Sequence, residues 1–276
     1  MSLASNRSVK PEQPWFVVNA ARHYSVHRPA MTGISHYYRF EAASTALATL
    51  AVPDGCIDIL FDCDASRPTA GVYGSPLQAR QFSLTPGNRY FGVRFAPGVV
   101  PGFIQPDALT MINHEFSLAD AVPDSAAVFE QIVAPDIAFS RQIAIIEHGL
   151  ISRLQHNGTA LTHNLIQLIQ HHQGNIRLGE LERLSGYTCR TLQRQFRQDT
   201  GMTPKSFCRI TRCQQALKRL LQQGEDSCSA LALELGFFDQ SHFLTEFKTL
   251  TSITPRTYQR QINSDEFFNR IHYGAE

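Results

Sequence analysis

No stretch of this sequence approaches the roughly 18–20 apolar residues that a membrane-spanning helix needs, so a helical membrane protein is excluded. Charge is scarce at 18% of residues, while hydrophobic residues reach 43%, so the chain can bury a core and is not a disordered polymer. No two of its six cysteines (Cys56, Cys63, Cys189, Cys208, Cys213 and Cys228) form a CxxC pair, which excludes a zinc ribbon or finger. Reduced thiols are expected, and Cys208 and Cys213, five apart on one helix, should face different ways. The opening MSLASNRSVKPEQPW has no apolar signal core, so a cytoplasmic location and no membrane partner are expected. There is almost no net charge, +1, and so no overall basic excess to name a partner.

That neutrality conceals a split. Residues 1–160 hold 11 Lys/Arg against 13 Asp/Glu, residues 161–262 hold 13 against 8, and residues 263–276 hold 1 against 3. A basic module is embedded in the chain. Its length of 276 residues suggests one large or two ordinary domains at about 100–200 residues each. The arm 1–30, with Pro11, Pro14 and Pro29, reads as irregular with one strand near Phe16–Val18. From 34 to 116, short runs (Leu47–Val52, Cys56–Phe61, Ala70–Tyr73, Tyr90–Phe95) alternate with Gly/Pro punctuation, which favours a sandwich or barrel. Between 118 and 156, two helices are expected, opened by Asp124 and Pro135 and closing near Asn157-Gly158. From 161 onward the pattern is helical. Helices stop at Gly174, Gly186, Gly224 and Gly236, and start at Thr188, Pro204, Asp239 and Pro255. The expected fold is therefore α+β and multidomain: a β-rich domain over 1–158, an all-α domain over 159–262, and an acidic tail over 263–276.

An internal repeat is the most informative feature. TLQRQFRQDTGMTPKSFCR (191–209) aligns without gaps on HFLTEFKTLTSITPRTYQR (242–260) at an offset of 51. Phe196/Phe247, Thr200/Thr251, Thr203/Thr254, Pro204/Pro255 and Arg209/Arg260 are identical. Each unit reads as helix, turn and capped helix, the form of a helix-turn-helix, and Thr-Pro starts the helix that follows. In that motif the second helix enters the major groove, and the caps lie near phosphates. Two units joined by the helix at Pro204–Gln223 predict two adjacent groove contacts on double-stranded DNA, about one turn or ~34 Å apart.

The stretches SGYTCRTLQRQFRQDTGMTPKSF and ALELGFFDQSHFLTEFK…ITPRTYQR resemble the DNA-binding domain of AraC/XylS-type transcription regulators over residues 161–262. The runs PDGCIDILF (53–61), Gly74-Ser75-Pro76 and FGVRFAPGVVPGFI (91–104) are similar to a domain of uncharacterised role found ahead of it in some members. The resemblance implies a cupin-like β-barrel with trailing helices, followed by two helix-turn-helix units. It further implies a regulator, by family habit an activator, whose N-terminal half senses a small-molecule effector, dimerises or both, and which works with RNA polymerase. By family position the base-reading residues are Arg190, Gln193 and Arg194 in the first unit and Gln240, Ser241, His242 and Thr245 in the second, with Thr188, Arg197 and Lys248 as phosphate contacts. Three residues depart from the family pattern: Glu182 stands at a helix crossing where a small residue is usual, Thr245 replaces a frequent Arg, and Ser252 replaces a frequent turn Gly.

Competing readings are bland or enzymatic. Arg197 and Lys248 also suit a solvated helix face, and His171-His172 suits a helix C-terminus. Asp54, Asp58, Asp62 and Asp64 read as solvated strand ends rather than a metal site, and Arg39, Arg80, Arg89 and Arg94 as surface charges rather than an anion site. His23, His27, His36 and His114 lack the HxH spacing of metal-bearing cupins, so no cofactor is expected. A DNA-binding module fused to a methyl-accepting repair enzyme is the alternative, and it needs clustered reactive cysteines that Cys56 and Cys63 do not supply. A third reading gives the N-terminal half a protein partner instead of a ligand. The helices of 118–156, with Ile146 and Leu150, are the expected dimer surface.

Overall fold

The computed structural model describes residues 13–44, 49–155, 158–222 and 228–274. The expectations about Pro11, Leu47, Asn157 and the helix end at Gly224 lie outside them. Pro14 at the first helical position starts α1 (Pro14–Val18), where a strand was expected. Five residues are too few to show a helical period. Then come β1 (Ala20–His27), β2 (Ile34–Ala42), β3 (Thr49–Ala51), β4 (Asp58–Asp62), β5 (Thr69–Tyr73), β6 (Arg80–Phe82) and β7 (Arg89–Phe95). After α2 (Ala108–Met111), β8 (Glu115–Ser117) and α3 (Leu118–Ala121), the chain enters α4 (Ala126–Ile132) and α5 (Phe139–Gly149). Asp124 sits inside a 3-10 turn ahead of α4, and α5 begins four residues past Pro135, so neither residue opens its helix.

The strands form a seven-stranded sheet in the order β8-β5-β4-β7-β2-β1 and then a final strand from the C-terminus, with a separate β3-β6 ribbon. No ladder closes the large sheet into a barrel among the described residues. Side-chain alternation gives it two buried faces. Tyr37, Ile59, Phe61, Phe91, Val93 and Phe95 pack under α4 and α5, against Ile132, Phe139, Ile143, Ile146 and Leu150. Ile146 and Leu150 have no exposed surface, so they cannot be the dimer contacts the sequence suggested; their helical spacing marks the side turned to the sheet.

The opposite face carries Tyr24, Val26, Tyr38, Phe40, Leu60 and Tyr90, packed against α1, the ribbon and the C-terminal helices. Those helices are α6 (Ala160–His171), α7 (Leu178–Ser185), α8 (Cys189–Thr200), α9 (Pro204–Gln222), α10 (Cys228–Glu234), α11 (Gln240–Thr251) and α12 (Pro255–Gln261). One apolar cluster thus runs from Trp15 to Phe267 and joins the two halves of the chain. The joint is specific. The Gln214 side chain donates to the Pro53 carbonyl at 2.8 Å, and the Ala79 N–H donates to the Leu250 carbonyl at 2.8 Å. Gly55, at φ +77, lies so close to Phe207 that a Cβ would meet the ring at 2.9 Å. Docking also explains why α9 is buried well beyond one apolar stripe. Cys208 joins the cluster of the first helical unit and Cys213 the cluster shared with the sheet, on different sides of the helix.

The acidic tail is structured. The Asn263 side chain caps α13 (Ser264–Arg270) by accepting from the Glu266 N–H at 3.1 Å, and Phe267 is buried. The seventh strand, β9 (Ile271–Tyr273), then pairs parallel with β1, Tyr24 opposite Ile271. No helix among the described residues is long and apolar enough to cross a membrane.

Candidate functional site

The 51-residue repeat is a repeat of geometry. Gly186 (φ 75) and Gly236 (φ 74) each end the first helix of a unit in the left-handed region. The second helix is then capped: Thr188 accepts from the Thr191 N–H in α8, and Asp239 accepts from the His242 N–H at 2.7 Å in α11. Both second helices end on a left-handed residue, Gly201 (φ 76) and Ser252 (φ 65). Thr200 and Thr251 then bind Phe196 and Phe247 carbonyls at 2.7 and 2.8 Å. Thr203 and Thr254 cap the next helix by accepting from Ser206 and Thr257 N–H groups at 3.1 and 3.2 Å. Phe196 packs on Phe207 at 5.4 Å, and their repeat mates Phe247 and Tyr258 lie 6.2 Å apart.

These cores fix which face is free. In α8 the buried residues are Leu192, Phe196 and Thr200, and in α11 they are Phe243, Phe247, Leu250 and Thr251. Arg190, Gln193, Arg194 and Arg197 are exposed on the other side of α8, spaced by three and four. Gln240, Ser241, His242, Thr245 and Lys248 are exposed on α11. Each set is brought together on one helix face. Thr188 is exposed, with its hydroxyl engaged in the cap and in a 3.0 Å contact to the Thr191 hydroxyl. His242 is partly held: its ring lies edge-on to Phe237 at 5.4 Å, and its Nδ1 accepts from the Phe238 N–H at 3.5 Å.

Two of the three departures from the expected pattern find physical accounts, and nothing in the structure explains Thr245. The Glu182 carboxylate reaches the start of α8, accepting from the Cys189 N–H at 3.2 Å and from its thiol at 2.9 Å. It lies where a helix N-terminus favours an anion, and it pushes the Cys189 thiol up. Ser252 keeps the backbone of the glycine it replaces, at a cost in strain.

Sequence reasoning missed two residues that set the geometry between the units. Arg209 of α9 makes a two-pronged pair with Glu246 of α11, at 2.6 and 3.1 Å. Arg212 lies over the Phe237 ring at 4.8 Å and fixes the turn of the second unit. The identity of Arg209 and Arg260 in the repeat was a signal, but the Glu246 partner of Arg209 required the fold.

A second site lies between the large sheet and the ribbon. Arg94, expected on the surface, is 5% exposed, and Asp54, expected at a solvated strand end, is 4% exposed. Arg94 donates to Asp58 through Nε at 3.0 Å and Nη2 at 2.8 Å, and its Nη1 lies 3.1 Å from Asp54. The Tyr38 hydroxyl donates to Asp58 at 3.1 Å, and the Gln13 amide to Asp54 at 2.8 Å. Burial alone lowers an arginine pKa, but Asp58 and Asp54 outweigh it and hold Arg94 firmly charged. Burial pushes Asp54 up, against the pull of Arg94. The remaining acids act locally: Asp62 accepts from Asn88 at 2.9 Å, and Asp64 closes a turn with Ser66 and Arg67. No group of three metal-ligating side chains occurs among the described residues. Burial pushes the Cys56 thiol well up and the Cys63 thiol to about 11, away from the thiolate that a nucleophilic cysteine needs.

Known proteins resemble two separate stretches of the chain. Residues 181–261 match the helix-turn-helix domain family, and residues 31–117 match a domain of unknown function (DUF6597). The HTH-type transcriptional activator RhaS of Pectobacterium carotovorum is 42% identical over 77 residues, 28% of this chain and 27% of that protein. An uncharacterised HTH-type transcriptional regulator of Haemophilus influenzae is 31% identical over 119 residues, 43% of this chain and 39% of that one. The chain therefore matches well under half the length of these curated relatives. ToxT from Vibrio cholerae aligns over 88% of this chain and 99% of its own, at 14% identity and a TM-score of 0.42. The C-terminal part of this chain is an AraC-type helix-turn-helix domain, set behind an N-terminal domain of unknown function.

Proposed function

We propose that this chain is a sequence-specific DNA-binding transcription regulator of the cytoplasm, and not an enzyme. The observation that carries the reading is the duplicated unit, in which two capped helices each turn an exposed polar face outward. Arg190, Gln193 and Arg194 read bases from α8, since Arg suits guanine and Gln suits adenine edges. Gln240, Ser241, His242 and Thr245 do so from α11, and Thr188, Arg197 and Lys248 meet phosphates. The 19-residue α9 spans ~28 Å at 1.5 Å per residue, of the order of one duplex turn. The activating sense, with RNA polymerase as partner, is supported by the relatives named as activators. The N-terminal domain senses a small molecule, and the chain acts as a homodimer.

Selection of operators from a random duplex library tests this reading. The full chain should enrich a sequence with two half-sites about one turn apart, and its affinity should fall steeply with salt. Binding that does not prefer the enriched sequence over random DNA overturns it.

A further inference from the structure

Between the sheet and the ribbon lies a cavity of about 190 Å³. That is smaller than the roughly 300–1,000 Å³ of pockets for drug-sized ligands, so its occupant is small. Its walls are aromatic: Phe16 from α1, Tyr38 from β2, Tyr73 from β5 and Phe82 from β6. Three carboxylates line it, Asp54, Asp58 and Glu115, against two guanidiniums, Arg94 and Arg80.

Arg94 is not free to receive an anion. Arg94 is shared between Asp54 and Asp58 and lies 5.9 Å above the Tyr38 ring. Arg80 donates to the Asn113 carbonyl. The His114 ring places Nδ1 at 2.8 Å from the Ile112 carbonyl, which makes Nδ1 the donor and leaves Nε2 of the neutral ring an acceptor. Four aromatic rings line the cavity, and the formal charge of its lining side chains is −1. Aromatic faces attract a cation, and more strongly where water is excluded.

We propose that this cavity binds a small organic monocation, its ammonium head held by Glu115 beside the Asp58–Arg94 pair and its apolar body against Tyr38, Tyr73, Phe16 and Phe82. The proposal deepens the reading of the N-terminal domain as a sensor and rests on it. Occupancy has a short route to the DNA-binding half. Arg80 borders both this cavity and the cleft between Ala79, Ser206, Arg209 and Thr249, and the Ala79 N–H holds the last turn of α11 through Leu250.

Calorimetric titration of the full chain at pH 7 with three probes of one shape, phenethylamine, 2-phenylethanol and 3-phenylpropionate, tests the proposal without DNA. Phenethylamine should bind at least ten-fold more tightly than the alcohol, the propionate should not bind, and the amine alone should raise Tm. Glu115→Gln, at an exposed position, should weaken amine binding several-fold with Tm of the free protein unchanged. Equal binding of amine and alcohol, preference for the propionate, binding of none of the three, or amine binding unaffected by Glu115→Gln would overturn it. A chain that selects an operator but binds no amine refutes this proposal alone. A chain that binds the amine but selects no operator refutes the regulator reading alone.

Discussion

Replacing Arg94 by Leu probes the buried ion cluster directly. The substitution leaves Asp54, 4% exposed, without its nearest positive charge, while Asp58 keeps only the Tyr38 hydroxyl among the contacts described above. Breaking a buried pair by removing one partner costs about 3–5 kcal/mol. Against a total of roughly 5–15 kcal/mol, the variant should still fold but with a large loss. The loss must depend on pH. Burial already raises the Asp54 pKa and Arg94 opposes that rise, so removal of Arg94 drives it higher. A carboxyl whose folded pKa lies above its unfolded value stabilises the fold where it is protonated and loses that contribution as pH rises through the folded pKa. The gap between wild type and variant should therefore be widest near neutral pH. It should shrink on acidification, by up to about 1.4 kcal/mol per pH unit for one proton. Urea unfolding of both proteins at pH 7 and pH 5 measures this. Arg94→Lys, which keeps charge but loses the fork, should fall between them. A loss below about 1 kcal/mol at pH 7, or an equal loss at both pH values, refutes the reasoning.

Three further outcomes follow from local geometry. Ser252→Gly should stabilise the protein by about 0.5–1 kcal/mol, since the left-handed strain removed exceeds the added unfolded-state entropy, and its repeat mate Gly201→Ala should cost more than about 2 kcal/mol because a Cβ there meets the Ala108 carbonyl at 2.2 Å; thermal melts give both signs. Burial, then Arg94, lowers the His36 pKa well below its ordinary value, so the unfolded chain takes up a proton first and stability should fall as pH drops below about 6.5; His36→Gln should flatten that slope in urea titrations. Arg209→Ala should leave each helical unit folded by circular dichroism yet weaken binding to a two-half-site operator more than to a single half-site, because the pair with Glu246 sets the angle between units.

The helical half was legible because its signals are local. Caps at Thr188, Asp239 and Thr254, glycine stops at Gly186 and Gly236, and three-and-four spacing all act within a few residues and all recur in the fold. The interior of the sheet was not. Arg94 sits on a strand buried on both faces, so no alternation distinguishes it from a surface charge. Its identity as a core residue follows only from register, which sets it directly opposite Asp58. The structure of the tail was not legible for a related reason. Its composition shows only acidity, although Asn263 with Glu266 three residues on is a helix-start signal, and β9 exists only because β1 offers it an edge.

In the proposed interface, α8 and α11 present base-reading and phosphate-holding residues in distinct places. Affinity of the full chain for its selected operator and for single-base variants of it, by fluorescence anisotropy across a salt series, separates the two roles. Arg194→Ala should cost about 1–3 kcal/mol and relax preference at one position of one half-site, with the salt slope little changed. Arg197→Ala should weaken all sequences alike and reduce the salt slope by about one. If both variants bind every duplex as the wild type does, the account of this interface is contradicted.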